Sequence, residues 1–125
     1  MLVGVQDIHY NVQDMDRAVA FYRDTLGMRV MDTNAHWTSL DFFGARIGLR
    51  FNGGGLVPGV ACDRDGAMAG ATVTLRSTDL EADVAFVTAR GARLHARQDH
   101  EWGRVATLFD PDGNVFKLMQ PPKRT

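Results

Sequence analysis

The chain has 125 residues, of which 45% are hydrophobic and 23% charged, and its formal net charge is −1. That is one domain's worth of chain, with enough apolar material for a single core. The charge balance gives no long-range field for nucleic acid or an anionic membrane, and no apolar stretch is long enough to cross a bilayer.

The opening residues, Met1 to Tyr10, lack a basic region followed by an apolar run, so no signal peptide is expected. Val5 to Val12 alternates: Ile8, Tyr10 and Val12 point one way, and Asp7, His9 and Asn11 the other. This predicts a half-buried strand with one polar face. Asp14 is placed as an N-cap. Met15, Ala18, Val19, Phe21, Tyr22 and Leu26 recur at helical spacing, and Gly27 ends the helix. Met28 to Asp32 is a short strand, followed by a turn around Asn34. Trp37 to Phe43 and Arg46 to Phe51 are two further strands, joined by a turn at Gly44-Ala45. This half reads β-α-β-β-β, over about residues 5–52.

Residues 53–70 hold six glycines and one proline without a sustained period, and form the connector. The run Gly53-Gly-Gly55 is no phosphate loop, because neither a Lys-Ser/Thr pair nor a helix follows it. Cys62, the only cysteine, rules out an intrachain disulfide and fits a reducing, cytoplasmic setting. It has no basic or His neighbour in sequence to activate it and reads as a bystander thiol.

Ala71 to Arg76 is a strand with Val73 and Leu75 on one side and Thr72, Thr74 and Arg76 on the other. Thr78 or Asp79 caps a helix whose core stripe is Leu80, Val84, Phe86 and Val87, and Gly91 ends it. Ala92 to Ala96 is a strand, Arg97 to Glu101 a loop, and Trp102 to Phe109 a strand. In Asp110-Pro-Asp-Gly-Asn114, Pro111 fixes φ, Gly113 supplies positive φ and the Asx side chains close local hydrogen bonds, so this is a tight turn. Val115 to Met119 resumes as a strand. The second half, about residues 71–120, is again β-α-β-β-β. The tail Pro121 to Thr125 has nothing to pack.

One supersecondary unit is thus used twice, carried by element order rather than residue identity. Strands with one polar face and helices against the other imply an α+β fold. Its two βαβββ modules form curved mixed sheets in a single domain spanning 1–125, with a trough lined by the polar faces.

At this point the chain resembles a family. Asn11-Val-Gln-Asp-Met-Asp-Arg-Ala-Val-Ala-Phe-Tyr-Arg-Asp-Thr-Leu-Gly27 is similar to the first-module signature of the vicinal oxygen chelate superfamily. That is the group of glyoxalase I, bleomycin-resistance and fosfomycin-resistance proteins and extradiol dioxygenases. Trp102-Gly-Arg followed by Asp110-Pro-Asp-Gly-Asn114 is similar to its closing signature. The resemblance spans Val5 to Gln120 and specifies the scaffold, not the reaction.

The resemblance implies metal ligands at three places: usually His on the first strand, often His on the first strand of module two, and Glu four residues after the turn glycine. Here these positions carry Asp7, Thr72 and Lys117. Glyoxalase I adds a Glu roughly where Arg50 stands. Divalent metals want carboxylate oxygen or neutral imidazole, whereas an ammonium donates protons and accepts none. The expectation is therefore no metal and no cofactor, with Asp7 and Lys117 facing each other as an ion pair. A site built from His9 and Asp7 is the metal-binding alternative.

Other residues point to a ligand. Residues 33–37, with Trp37, and Trp102 can supply an aromatic rim, or simply pack at strand ends. Arg50, Arg76 and Lys117 on the inferred trough face can clamp an anion, or pair with Asp7, Asp41 or Glu101. Asn11 and Thr74 are polar wall beside His9, and Val115 and Met119 are an apolar patch. Phe42 and Phe51 are assigned to the core. His9 can also serve as general acid/base with Asp7 orienting it. Three classes stay open: a metal-free binder of a small aromatic or anionic molecule, an enzyme using His9 or an unusual metal site, and an association module. The leading reading is the first, as a homodimer with a small-molecule ligand and neither nucleic acid nor membrane as partner.

Overall fold

The computed structural model describes residues 1–59, 62, 64 and 70–123. The chain divides into two compact units, Met1–Val57 and Pro58–Thr125, each with its own four-stranded sheet and helix.

In the first unit the elements are β1 (Ile8–Val12), α1 (Met15–Ala20) with a π-helical turn over Phe21–Thr25, β2 (Arg29–Thr33), β3 (Trp37–Phe42) and β4 (Ala45–Phe51). The sheet order is β1-β4-β3-β2, with β1 parallel to β4 and the other pairs antiparallel. Asp14 is extended and accepts from the Arg17 N–H at 3.0 Å, which starts the helix. The Leu26 N–H reaches back five residues to the Phe21 carbonyl, the π-type bond that widens the last turn. Tyr10 meets Tyr22 of the helix, and the Thr38 hydroxyl donates to Met15 Sδ. The face of Tyr10, Val12, Thr38, Leu40, Ile47 and Leu49 therefore packs on the helix, and most of it is buried. By alternation Asp7, His9, Asn11, Trp37, Ser39, Gly48 and Arg50 lie on the opposite, open face.

In the second unit the elements are β5 (Val73–Arg76), α2 (Leu80–Thr88), β6 (Arg93–His100), β7 (Gly103–Phe109) and β8 (Val115–Gln120), in sheet order β5-β8-β7-β6. The order and the parallel β5/β8 pair repeat those of the first unit. Asp79 caps α2 by accepting from the Ala82 N–H at 3.1 Å, and Gln120 Oε1 accepts from the Leu80 N–H at 2.8 Å. Glu81 on α2 accepts from Arg97 and from Arg104. These two guanidiniums hold its carboxyl down to about 2, Arg97 contributing most. Gln120, Arg104 and Arg97 thus mark the helix-side face, shared by Leu75, Ala106, Leu108, Phe116 and Leu118. Thr74, Thr107, Val115, Lys117 and Met119 occupy the other face.

Both βαβββ modules are as expected, with local corrections. β6 runs to His100, so the expected loop Arg97–Glu101 is mostly strand. It is an edge strand whose charged residues find partners: Arg97 with Glu81, and Asp99 with Arg104 at 3.1 Å. β1 starts at Ile8 rather than Val5. β5 starts at Val73, so Thr72 stands just before the strand. Phe86 is 42% exposed, outside the Leu80-Val84-Val87 stripe, with Arg90 over its ring. Phe42 and Phe51 are half-buried rather than core. Of the connector, residues 60, 61, 63 and 65–69 lie outside the described residues, as do Arg124 and Thr125 of the tail.

Candidate functional site

On the open face of module one, His9 is the centre. Its Nδ1 lies 3.4 Å from Asp7 Oδ1, with the two side chains 44% and 23% exposed. Its ring meets the edge of Trp37, centroids 5.4 Å apart at 63°. Trp37 gets there by crossing β4. It pairs in register with Arg50, while Gly48, the register partner of His9, leaves room for the indole to lie across the strand. A Cβ on Gly48 would stand 2.3 Å from the Trp37 ring. The indole Nε1–H donates to Ser39 Oγ at 2.9 Å, and Arg50 Nη1 donates to Asn11 Oδ1 at 3.2 Å. The result is an aromatic edge flanked by a carboxylate, an imidazole and a guanidinium on one exposed surface.

On the open face of module two, Thr74, Lys117 and Thr107 form one row, each threonine directly opposite the lysine. Lys117 is half-buried, and among the described residues it has no hydrogen-bond or ion-pair partner. Thr107 is only 2% exposed. Arg76 stands in the next row, opposite Met119 and exposed. Thr72 is half-buried just ahead of β5.

The structure sets Asp7, His9, Asn11, Trp37 and Arg50 on the open face of module one and Thr74, Arg76 and Lys117 on that of module two, whereas the sequence grouped Arg50 with Arg76 and Lys117. Trp102 falls in neither group. It sits in the turn between β6 and β7, 59% exposed, stacked on His100 at 4.5 Å and 8°. Asp7 makes its contact inside its own module, with His9 at 3.4 Å. Asp41, offered as a partner for Arg50, pairs with Arg29 at 3.8 Å. Two residues that shape these faces went unread: Gly48 and Thr107. The signal for Gly48 was a glycine inside an otherwise regular strand, which marks a close approach.

The metal implied by the resemblance does not fit these residues. Its three positions offer one carboxylate, one hydroxyl and one ammonium, and a dication needs several anionic or neutral acceptors. Among the described residues no three His, Cys, Asp or Glu side chains converge. His9 and Asp7 supply two ligands at most, which is short of a closed or a catalytic site.

Comparison with known proteins places these faces in context. The model of the Glyoxalase/Bleomycin resistance protein/Dioxygenase superfamily matches residues 4–118. A search of the curated proteins finds no match. Among solved structures, fosfomycin resistance protein FosX from Listeria monocytogenes, in its hexagonal form, aligns with a TM-score of 0.75 at 14% identity. The alignment covers 98% of this chain and 96% of that one. The same protein complexed with Mn(II) and sulfate ion gives 0.74 at 14% identity, covering 98% and 93%. TnmS3, an antibiotic binding protein from Streptomyces sp. CB03234, gives 0.60 at 24% identity, covering 98% and 100%. At such identities these likenesses establish the fold.

Proposed function

We propose that this chain, which belongs to the Glyoxalase/Bleomycin resistance protein/Dioxygenase superfamily, binds a small aromatic or anionic molecule without using a divalent metal. The observation that carries this reading is the Trp37 indole laid over Gly48 against His9, with Arg50 beside it. A half-buried flat ring next to a guanidinium offers stacking surface and a charge at once. The mismatched donor set at Asp7, Thr72 and Lys117 supports the metal-free part. TnmS3, described as an antibiotic binding protein, is a relative in fold for which binding is the stated role.

The test uses tryptophan fluorescence and melting temperature in a Trp102→Phe background, so that Trp37 is the reporter. Benzoate and phenylphosphonate serve as probes, in chelator and again with Mn(II). Ligand at one hundred times Kd stabilises the folded state by about 2.7 kcal/mol. A rise in melting temperature with quenching in chelator, abolished in Trp37→Ala, supports the reading. Binding that appears only with Mn(II), or a stoichiometric ion in tag-free protein, overturns it.

One observation favours a second reading. The 3.4 Å approach of His9 Nδ1 to Asp7 is the arrangement that orients an imidazole for general acid/base work. Turnover of a bound probe that disappears in His9→Gln while binding persists would establish that reading over simple binding.

We also propose that the two units act as one glyoxalase-like domain, since the family match runs across both. The protein is proposed to work in the cytoplasm, in keeping with its single cysteine. No helix of the described residues is long and apolar enough to cross a membrane. A homodimer is proposed as well. Its support is that β1 is an edge strand preceded by the wholly exposed apolar residues Met1, Leu2, Val3 and Val5. Light scattering at micromolar concentration should give twice the chain mass, and a monomer mass contradicts it.

A further inference from the structure

Because both modules share one topology, their open faces can be compared position by position. Asp14 and Asp79, the two N-caps, fix the alignment. His9 of β1 then corresponds to Thr74 of β5, Gly48 of β4 to Lys117 of β8, and Ser39 of β3 to Thr107 of β7. The central place of module one is a glycine roofed by Trp37. The same place in module two carries an ammonium group. We propose that Lys117, Thr74 and Thr107 form a site for one compact oxyanion, a carboxylate, phosphonate or phosphate group; the site rests on the small-molecule reading above and names what the ligand must carry.

Geometry makes the three donors convergent. Residues directly opposite on neighbouring strands have Cβ atoms about 4.5–5.5 Å apart. Two hydroxyls therefore flank the lysine stem, one from each side. Their chemistry is one-sided. The ammonium has only donors, and each hydroxyl has a donor to give, so an acceptor-rich group is the species that satisfies all three.

Thr107 is buried, at 2% exposed. Lys117 is half-buried between the apolar residues Val115 and Met119 of its own strand, and among the described residues it has no counter-charge. A half-buried lysine without an anion is unfavourable, and one oxyanion relieves it. Arg76 in the next row adds attraction without crowding the row itself.

Calorimetric titration of the whole chain with inorganic phosphate, phenylphosphonate and benzyl alcohol tests this. The variants are Lys117→Met, Thr107→Val and Trp102→Phe, each close in shape to the original or confined to an exposed ring. Lys117→Met should weaken phosphate and phenylphosphonate at least about tenfold, and Thr107→Val about threefold or more. Trp102→Phe should leave phosphate affinity unchanged. Unliganded Lys117→Met should melt no lower than wild type, because the lysine has no partner to lose. Equal phosphate affinity in wild type and Lys117→Met overturns the site, as does wild-type protein that ignores phosphate. A fall in melting temperature of unliganded Lys117→Met overturns it too. Benzyl alcohol separates the two ideas: if it binds while phosphate does not, the aromatic reading stands and the oxyanion site falls.

Discussion

Replacing Gly48 with alanine adds a Cβ that would stand 2.3 and 2.4 Å from Cζ2 and Cη2 of Trp37, and 3.0 Å from the Cβ of His9. No real contact is that short, and the backbone of β4 is held by β1 on one side and β3 on the other. The indole has to move. It then loses its edge contact with His9, about 0.5–1.5 kcal/mol, and its hydrogen bond to Ser39, about 1 kcal/mol. Alanine returns about 0.5–1 kcal/mol of backbone entropy. The net cost is about 0.5–2 kcal/mol, a fall of roughly 2–8 °C in melting temperature for a chain of this size. The assay is a double-mutant cycle by thermal unfolding, with Trp37 fluorescence recorded in a Trp102→Phe background. In a Trp37→Ala background only the 3.0 Å approach to the Cβ of His9 remains, so Gly48→Ala should cost clearly less there. An equal loss in both backgrounds would show that the strand itself, not the indole, demands glycine, and the aromatic surface would lose its structural basis.

Further predictions concern module two. Glu81 titrates at about 2 when folded, against 4.5 for the free side chain. A depressed carboxyl stabilises the fold fully above the unfolded value and loses that effect as pH falls through the folded one. The melting-temperature gap between wild type and Glu81→Gln should therefore be steady above about pH 5 and close between pH 4.5 and 2. A gap that stays constant down to pH 2 would refute the Arg97–Glu81–Arg104 network. Because these groups are exposed, 1 M salt should shrink the gap as well. Asp110 is buried and accepts from the Asp112 and Asn114 N–H groups at 2.9 Å and from Asn114 Nδ2 at 3.1 Å. Asp110→Ala should cost about 3 kcal/mol by urea denaturation, and Asp110→Asn, which keeps one acceptor, roughly half as much. Equal costs would mean that the carboxylate acts through charge alone.

How legible this was depended on the kind of signal. Period-two alternation in Ile8, Tyr10 and Val12 gave the face of β1 directly, because burial on one side leaves a pattern no loop imitates. The Asp110–Asn114 turn was readable because its geometry is local: the side chain that closes it belongs to the turn itself. The second half of β6 was not readable. Arg97, Asp99 and His100 look like loop residues until Glu81 on α2 and Arg104 on β7 are brought alongside. Lys117 came from position within the resemblance, since a lysine in a strand is otherwise unremarkable surface. Thr107 was hidden for the opposite reason: a hydroxyl amid Val105, Ala106, Leu108 and Phe109 reads as one more strand former. Trp37 was read as a rim residue, but what it lies on depends on Gly48, eleven residues away and one strand over.

The difference between the two open faces is enforced by packing and is not an interchangeable choice of residues. A lysine at position 48 would drive its stem into the Trp37 ring, which already leaves no room for one carbon. Conversely, an indole reaching across β8 as Trp37 crosses β4 would need the place that the Lys117 stem occupies. Each module can present an aromatic surface or an ammonium at the centre of its sheet, not both. On this argument, moving the lysine into module one should abolish aromatic binding without creating an anion site there. Gly48→Lys, measured with benzyl alcohol and phosphate, is the variant that decides it.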